Sequence, residues 1–187
     1  MFCRQMQIFD NFYDDPDQVR INVLGRNDWG SYGNYPGIRT GKESYQQSLF
    51  LRNFFEDIMG MRINDWNTGA NTCFQNTYCW DDTWIHSDQT DWAGIIYLTP
   101  DAPVESGTGF FRHKKTGFDS AQQGRINEKE GYNLDNWDKT AEVGNIYNRL
   151  VIYNAKLYHR SMLPGFGNSI ESGRLTQTFF FNENMVW

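Results

Sequence analysis

After Gly60 the hydrophobic pattern changes period, and that change bounds what the chain can become. Ahead of it the pattern is helical. Asp14, Asp15, Pro16 and Asp17 supply a cap, an early proline and first-turn acids, so a helix is predicted to follow with Val19, Val23 and Leu24 on its apolar face. A second helix is predicted from Ser44 to Met59, stopped by Gly60. Its apolar stripe of Tyr45, Leu49, Phe54 and Ile58 is expected to pack on a sheet. Beyond Gly60 the apolar residues alternate. Strand candidates fall at 61–66, 72–79, 83–88, 93–99, 108–112, 148–154, 157–161 and 174–181, with turn residues between most of them. A short strand at Met6–Phe9 precedes the helices.

Two helices followed by a run of short strands predict an α+β, mainly β architecture, with the helices buttressing one sheet of a sandwich or barrel. An aromatic fraction of 17% and 17 glycines agree with strands and turns rather than a helical bundle. At 187 residues one domain is expected, with 1–60 as helical support and 61–187 as the β core. The stretch 113–145 breaks the rhythm. It is polar and charged, holds Gly117, Gly124 and Gly131, and shows no clean strand. Its Tyr132, Leu134 and Trp137 require part of it to pack, so it is read as a flap over a site, or else as a mobile insertion.

A formal net charge of -6 argues against a non-specific grip on nucleic acid. Cys3, Cys73 and Cys79 make an odd count without a paired framework, which suggests reduced thiols and a cytoplasmic protein. No apolar run approaches membrane-spanning length.

Chemistry concentrates around His86 and Asp88. On a pleated strand, residues two apart face the same side, so an imidazole and a carboxylate would share a face. Such a pair carries no weight until a third ligand joins it, and the chain has three histidines in all. His159 lies on a later strand candidate. His113 is the rival, but Arg112 and Lys114 flank it and disfavour a bound cation. Two histidines and one carboxylate with open positions form the ligand set of non-haem Fe(II) oxygenases. A structural zinc site would more often use cysteine and close all four positions. Fifteen residues after His159, Arg174, Thr176 and Thr178 share one strand face; Leu175, Gln177 and Phe179 share the other. A hairpin through Gly167, Asn168 and Gly173 is expected to set Arg174 beside His159 on a neighbouring strand.

These residues give a resemblance. His86-Ser87-Asp88, the run Ala93 to Pro100, Gly107 to Phe111, Asn148 to Asn154, His159 and Arg174-Leu175-Thr176 together resemble the Fe(II)/2-oxoglutarate-dependent dioxygenases, in the style of the prolyl-4-hydroxylase branch. Asn34 to Thr40 is similar to a segment of uncharacterised oxygenases of that superfamily. The resemblance implies a double-stranded β-helix, or jelly roll, with Fe(II) held by His86, Asp88 and His159. It implies 2-oxoglutarate bound through its distal carboxylate by Arg174, Tyr97 and Thr176. It implies 2-oxoglutarate and dioxygen as co-substrates, and hydroxylation of a small molecule or a protein side chain. Gln75 and Tyr78 are candidates to reach cofactor or substrate, and Arg112 and Trp137 to contact substrate from the mouth or flap. Two other readings stay open. A β-sandwich carbohydrate-binding module predicts exposed coplanar aromatics and no convergence of the three ligands. A cupin-like metal protein predicts a metal site with Arg174 directed elsewhere.

Overall fold

The computed structural model describes residues 5–31, 33–162 and 165–183. Cys3 lies outside them. Ten strands and two helices follow in the order β1 (Met6–Phe9), α1 (Pro16–Leu24), β2 (Ile38–Arg39), α2 (Tyr45–Met59), β3 (Ile63–Asp65), β4 (Phe74–Thr77), β5 (Trp92–Tyr97), β6 (Thr108–His113), β7 (Trp137–Val143), β8 (Leu150–Asn154), β9 (His159–Ser161) and β10 (Arg174–Glu183). The architecture is mainly antiparallel β with two helices. The larger sheet runs β1-β8-β5-β10-β4-β2, with β3 paired to the far end of β10; the smaller runs β7-β6-β9.

Both helices start where local chemistry places a cap. Asp15 accepts the Gln18 amide at 2.9 Å, and Ser44 accepts the Gln47 amide at 3.3 Å. α2 ends on Gly60 at φ 63, the left-handed conformation that glycine adopts without a Cβ penalty. Its inner face is Leu51, Phe55 and Met59, packed on Ile96, Leu98, Phe179 and Phe181 of the larger sheet. Phe55 is fully buried, 4.6 Å from the Phe179 ring and 5.4 Å from Trp66, a burial worth about 1.5–3 kcal/mol. Gly94 makes room for it, since a Cβ there would lie 3.5 Å from the Phe55 ring and 3.3 Å from Phe179.

The expected stripe on α2 is corrected in phase. Phe54 and Ile58 are partly packed, but Tyr45 is 77% and Leu49 41% exposed. Apolar residues surround more of this helix than the sheet can cover. The turn-spaced set 51, 55 and 59 takes the sheet, and Tyr45 and Leu49 lie roughly 100° round from it.

β10 carries the alternation that was expected of it. Leu175, Phe179 and Phe181 join the helix-facing core, while Arg174, Thr176 and Thr178 face the other way. Thr176 sits between Gln75 of β4 and Tyr97 of β5, and Arg39 of β2 pairs with Gln75. One row of side chains, Arg39–Gln75–Thr176–Tyr97, therefore crosses the inner face of the larger sheet.

Three expectations fail in the smaller sheet. Residues 83–88 form no regular strand. A single bridge joins His86 to His159, after which the Asp88 amide turns to the Ala155 carbonyl at 2.8 Å. The stretch read as strandless contains β7, paired along β6. β7 is an edge strand buried only at Trp137 and Val143, so it leaves no alternating signal. And β9 and β10 are not neighbours, since they belong to different sheets. The loop that precedes β7 is packed down: Phe118, Ala121 and Ile126 lie against Ile85, Phe111, Trp137 and Tyr158. Its short 3-10 turn, Glu128–Tyr132, docks on the His86 segment by backbone. Ile85 donates to the Gly131 carbonyl at 3.0 Å, and a Cβ on Gly131 would fall 2.1 Å from the Ile85 oxygen.

Candidate metal centre and its cavity

The bridge between residues 86 and 159 sets two imidazoles side by side. His86 donates its amide to the His159 carbonyl at 3.0 Å and accepts the His159 amide at 2.8 Å, and the rings stand 4.6 Å apart. The turn after Ser87 brings Asp88 beneath them. Its Oδ2 lies 3.4 Å from His159 Nε2 and its Oδ1 3.8 Å from His86 Nε2. One donor atom from each residue falls within 4.8 Å of the others.

The protons can be placed. His86 Nδ1 is 3.0 Å from the Trp84 carbonyl, and His159 Nδ1 is 2.8 Å from the Leu157 carbonyl. A carbonyl only accepts, so each Nδ1 carries a hydrogen and each Nε2 turns inward. Asp88 Oδ2 is buried without a hydrogen-bond partner among the described residues. Two imidazole nitrogens and a carboxylate thus face a common point, an arrangement that favours a cation there. This donor set fits a divalent non-haem metal. Burial holds the His86 pKa below its ordinary value, and the neighbouring His159 adds to this against the opposing pull of Asp88. Burial pushes Asp88 up, but His159, His86 and Arg39 outweigh it and keep the carboxyl below its usual range. Both shifts favour the ligating forms.

His113 is elsewhere, buried against Trp137 with Nδ1 3.0 Å from the Thr116 hydroxyl. Arg174 is 4% exposed. Its Nε donates to the Ser106 carbonyl at 2.9 Å, its Nη2 reaches the Gly107 carbonyl at 3.4 Å, and its guanidinium carbon is 5.3 Å from the Tyr97 ring centre. No carboxylate among the described residues pairs with it, and burial lowers its pKa. Tyr97 is fully buried, with its hydroxyl 2.7 Å from that of Thr108; Thr176 donates to the Gln75 carbonyl at 3.3 Å.

A cavity of about 310 Å³ opens beside the three ligand candidates. Thr108, Ile95, Tyr153, Thr178 and Phe180 form its inner wall. Arg174, Tyr97 and Thr176 do not line it; Tyr97 stands behind Thr108, and Arg174 is held on the Ser106 and Gly107 carbonyls. Of the four further candidates only Gln75 reaches the cavity. Tyr78 stacks on Trp80 at 5.1 Å, Arg112 is exposed and pairs with Asp119 at 3.4 Å, and Trp137 is core beside Tyr158. Arg39, Tyr35 and Asn34 line the cavity from the loop around β2, and Trp84 and Glu128 from its rim. Sequence reasoning gave these five no role. A two-residue strand has no period to read. The one local signal was Gly37, whose φ of 75 and whose hypothetical Cβ, 2.0 Å from the Asn76 carbonyl, press this loop onto β4.

No protein-family model matches the sequence, and no curated protein matches it. Solved structures do match the fold. HygX from Streptomyces hygroscopicus, with nickel, 2-oxoglutarate and hygromycin B bound, superposes at a TM-score of 0.64 and 10% identity, over 97% of this chain and 84% of that one. A prolyl hydroxylase from Trichoplax adhaerens, in complex with a hypoxia inducible factor peptide, gives 0.61 and 11%, over 95% and 83%. A prolyl-4-hydroxylase from Pseudomonas putida gives 0.57 and 13%, over 96% and 93%. The chain therefore shares its fold with these proteins. No helix among the described residues is long and apolar enough to cross a membrane.

Proposed function

We propose that this chain is an Fe(II)- and 2-oxoglutarate-dependent dioxygenase that hydroxylates its substrate while decarboxylating 2-oxoglutarate to succinate. The observation that carries the reading is the inward convergence of His86 Nε2, His159 Nε2 and the Asp88 carboxylate beside an open cavity. The whole chain, 1–187, then acts as one double-stranded β-helix domain with helical support at 1–60 and the 113–145 segment as its flap. Ferrous iron and the oxoacid together supply the oxidising chemistry with dioxygen.

The chain's own groups do the rest. His86, Asp88 and His159, which line the cavity, would hold the metal. Arg174 takes the distal carboxylate, for it is a buried guanidinium that lacks an acid. Tyr97 holds Thr108 at the cavity wall, and Thr176 fixes the sheet between Tyr97 and Gln75. Trp84 and the turn at 128–132 shield one side of the metal from water. Free Cys73 and Cys79 suit a reducing cytoplasm, where ferrous iron persists. The convergence of the triad disfavours the carbohydrate-module reading.

The test is anaerobic titration with Fe(II) and 2-oxoglutarate. A weak visible charge-transfer band is expected, and His159→Ala abolishes it. Arg174→Ala weakens 2-oxoglutarate far more than iron. Absence of the band in the intact protein refutes the proposal. Metal binding with no 2-oxoglutarate binding favours the cupin-like reading instead, and unchanged 2-oxoglutarate affinity in Arg174→Ala assigns the distal carboxylate to another group.

A further inference from the structure

If the site is that of an oxygenase, its cavity holds two more cations that neither metal nor oxoacid uses. Arg39 projects from β2 into the cavity. Its Nε donates to Gln75 Oε1 at 2.8 Å, Gln75 in turn donates to the Pro36 carbonyl at 2.9 Å, and the guanidinium lies over the Tyr35 ring at 4.0 Å. These contacts fix its plane and leave both terminal nitrogens without a hydrogen-bond partner among the described residues. Arg160, 3% exposed, also lines the cavity. Its Nε and Nη2 donate to the Ser161 carbonyl at 3.0 Å and the Thr83 hydroxyl at 2.7 Å. Neither arginine has an ion pair with any described acid. The acid at the rim, Glu128, is exposed and meets Asn34 at 3.5 Å.

Charge decides what these groups await. In the loaded site, a divalent ion and Arg174 are balanced by Asp88 and a dianionic oxoacid. Arg39 and Arg160 are then left as partly or fully buried cations in excess; Asp88 and Asp82 act on them only at a distance, without an ion pair, so a ligand that brings counter-charge is favoured. A fork whose stem is fixed and whose two ends are unspent is organised for an oxyanion.

We propose that the primary substrate is a small acid, and that its carboxylate or phosphate group is gripped by Arg39 with Arg160 as the second charge; the proposal rests on the oxygenase reading. The cavity volume sits at the low end for ligand sites, so the molecule is small or enters by one narrow end.

The test uses the full chain loaded with Ni(II) and 2-oxoglutarate and titrated calorimetrically with propionate and, separately, with inorganic phosphate. Saturable binding of one or both is expected, the response naming the preferred oxyanion. Arg39→Met is expected to weaken it at least tenfold, and Arg160→Met by a smaller factor, while both variants keep their affinity for 2-oxoglutarate. Should Arg39→Met not fold, Arg39→Lys keeps the charge and loses the fork, with an expected loss of about threefold to tenfold. The idea is overturned if the loaded protein binds neither anion, or if the Arg39 variants bind them as the wild type does. It is also overturned if Arg39→Met loses 2-oxoglutarate itself, which would assign Arg39 to the co-substrate. Failure of the oxygenase reading shows separately, as the missing Fe(II)–2-oxoglutarate band in the unaltered protein.

Discussion

Gly131→Ala tests whether the turn over the site helps to hold the metal. Nothing about the glycine's own backbone demands glycine; the neighbour does, since the added methyl would lie 2.1 Å from the Ile85 oxygen and 3.1 Å from its carbonyl carbon. Both are backbone atoms with nowhere to rotate, so the turn or the His86 segment must move. Moving it breaks the Ile85 amide bond to Gly131, worth about 0.5–1.5 kcal/mol. It also disturbs the stack of Trp84 on Tyr132, rings 5.5 Å apart at 20°, worth about 0.5–1.5 kcal/mol. The sum is about 1–3 kcal/mol. If all of it is felt at His86, the adjacent residue, metal affinity falls roughly 5- to 150-fold, at about 1.4 kcal/mol per tenfold. Calorimetric titration of the purified variant with Ni(II) measures this directly, with exposed Lys129→Ala as control. A variant that melts lower but binds Ni(II) within twofold of wild type refutes the link between turn and metal.

Phe55→Ala removes a fully buried ring from the helix–sheet interface and is expected to cost about 3–5 kcal/mol, or roughly 6–20 °C in Tm, while 2-oxoglutarate binding survives; a drop under about 4 °C would contradict the packing described. The metal-free protein is expected to lose stability in acid. His86 has a folded pKa below its ordinary 6.5, so the unfolded chain takes the proton first and stability declines as pH falls from about 6.5. Asp88, lowered from 3.8, adds a further loss only below that value. Thermal melts in chelator from pH 7 to about pH 2 record both limbs, and His86→Gln should flatten the upper one; an unchanged upper limb would assign it to another group.

What the sequence made legible was local or repeated. Asp15, Ser44 and Gly60 mark helix ends through groups within a turn of themselves, so both helices stand where their caps place them. β10 alternates visibly because both its faces are buried in different chemistry. β7 was hidden because solvent covers its middle, and the phase of α2 because only the sheet decides which apolar residues it meets. Arg39 carries no local signal because its position is set by a loop, Gly37 and a partner strand 36 residues away. His86 and His159 were paired from ligand chemistry, whereas the antiparallel bridge that joins them is a tertiary event that no window along the chain contains.

Each of the two imidazoles is oriented by the peptide oxygen two positions earlier on its own segment. Metal-binding histidines often rely on a neighbouring acid for this task. Here the orienting partner is main chain, present whatever amino acid occupies positions 84 and 157. The residues surrounding the centre are therefore at liberty to diverge, and the two inward nitrogens keep their aim so long as the two segments stay in step.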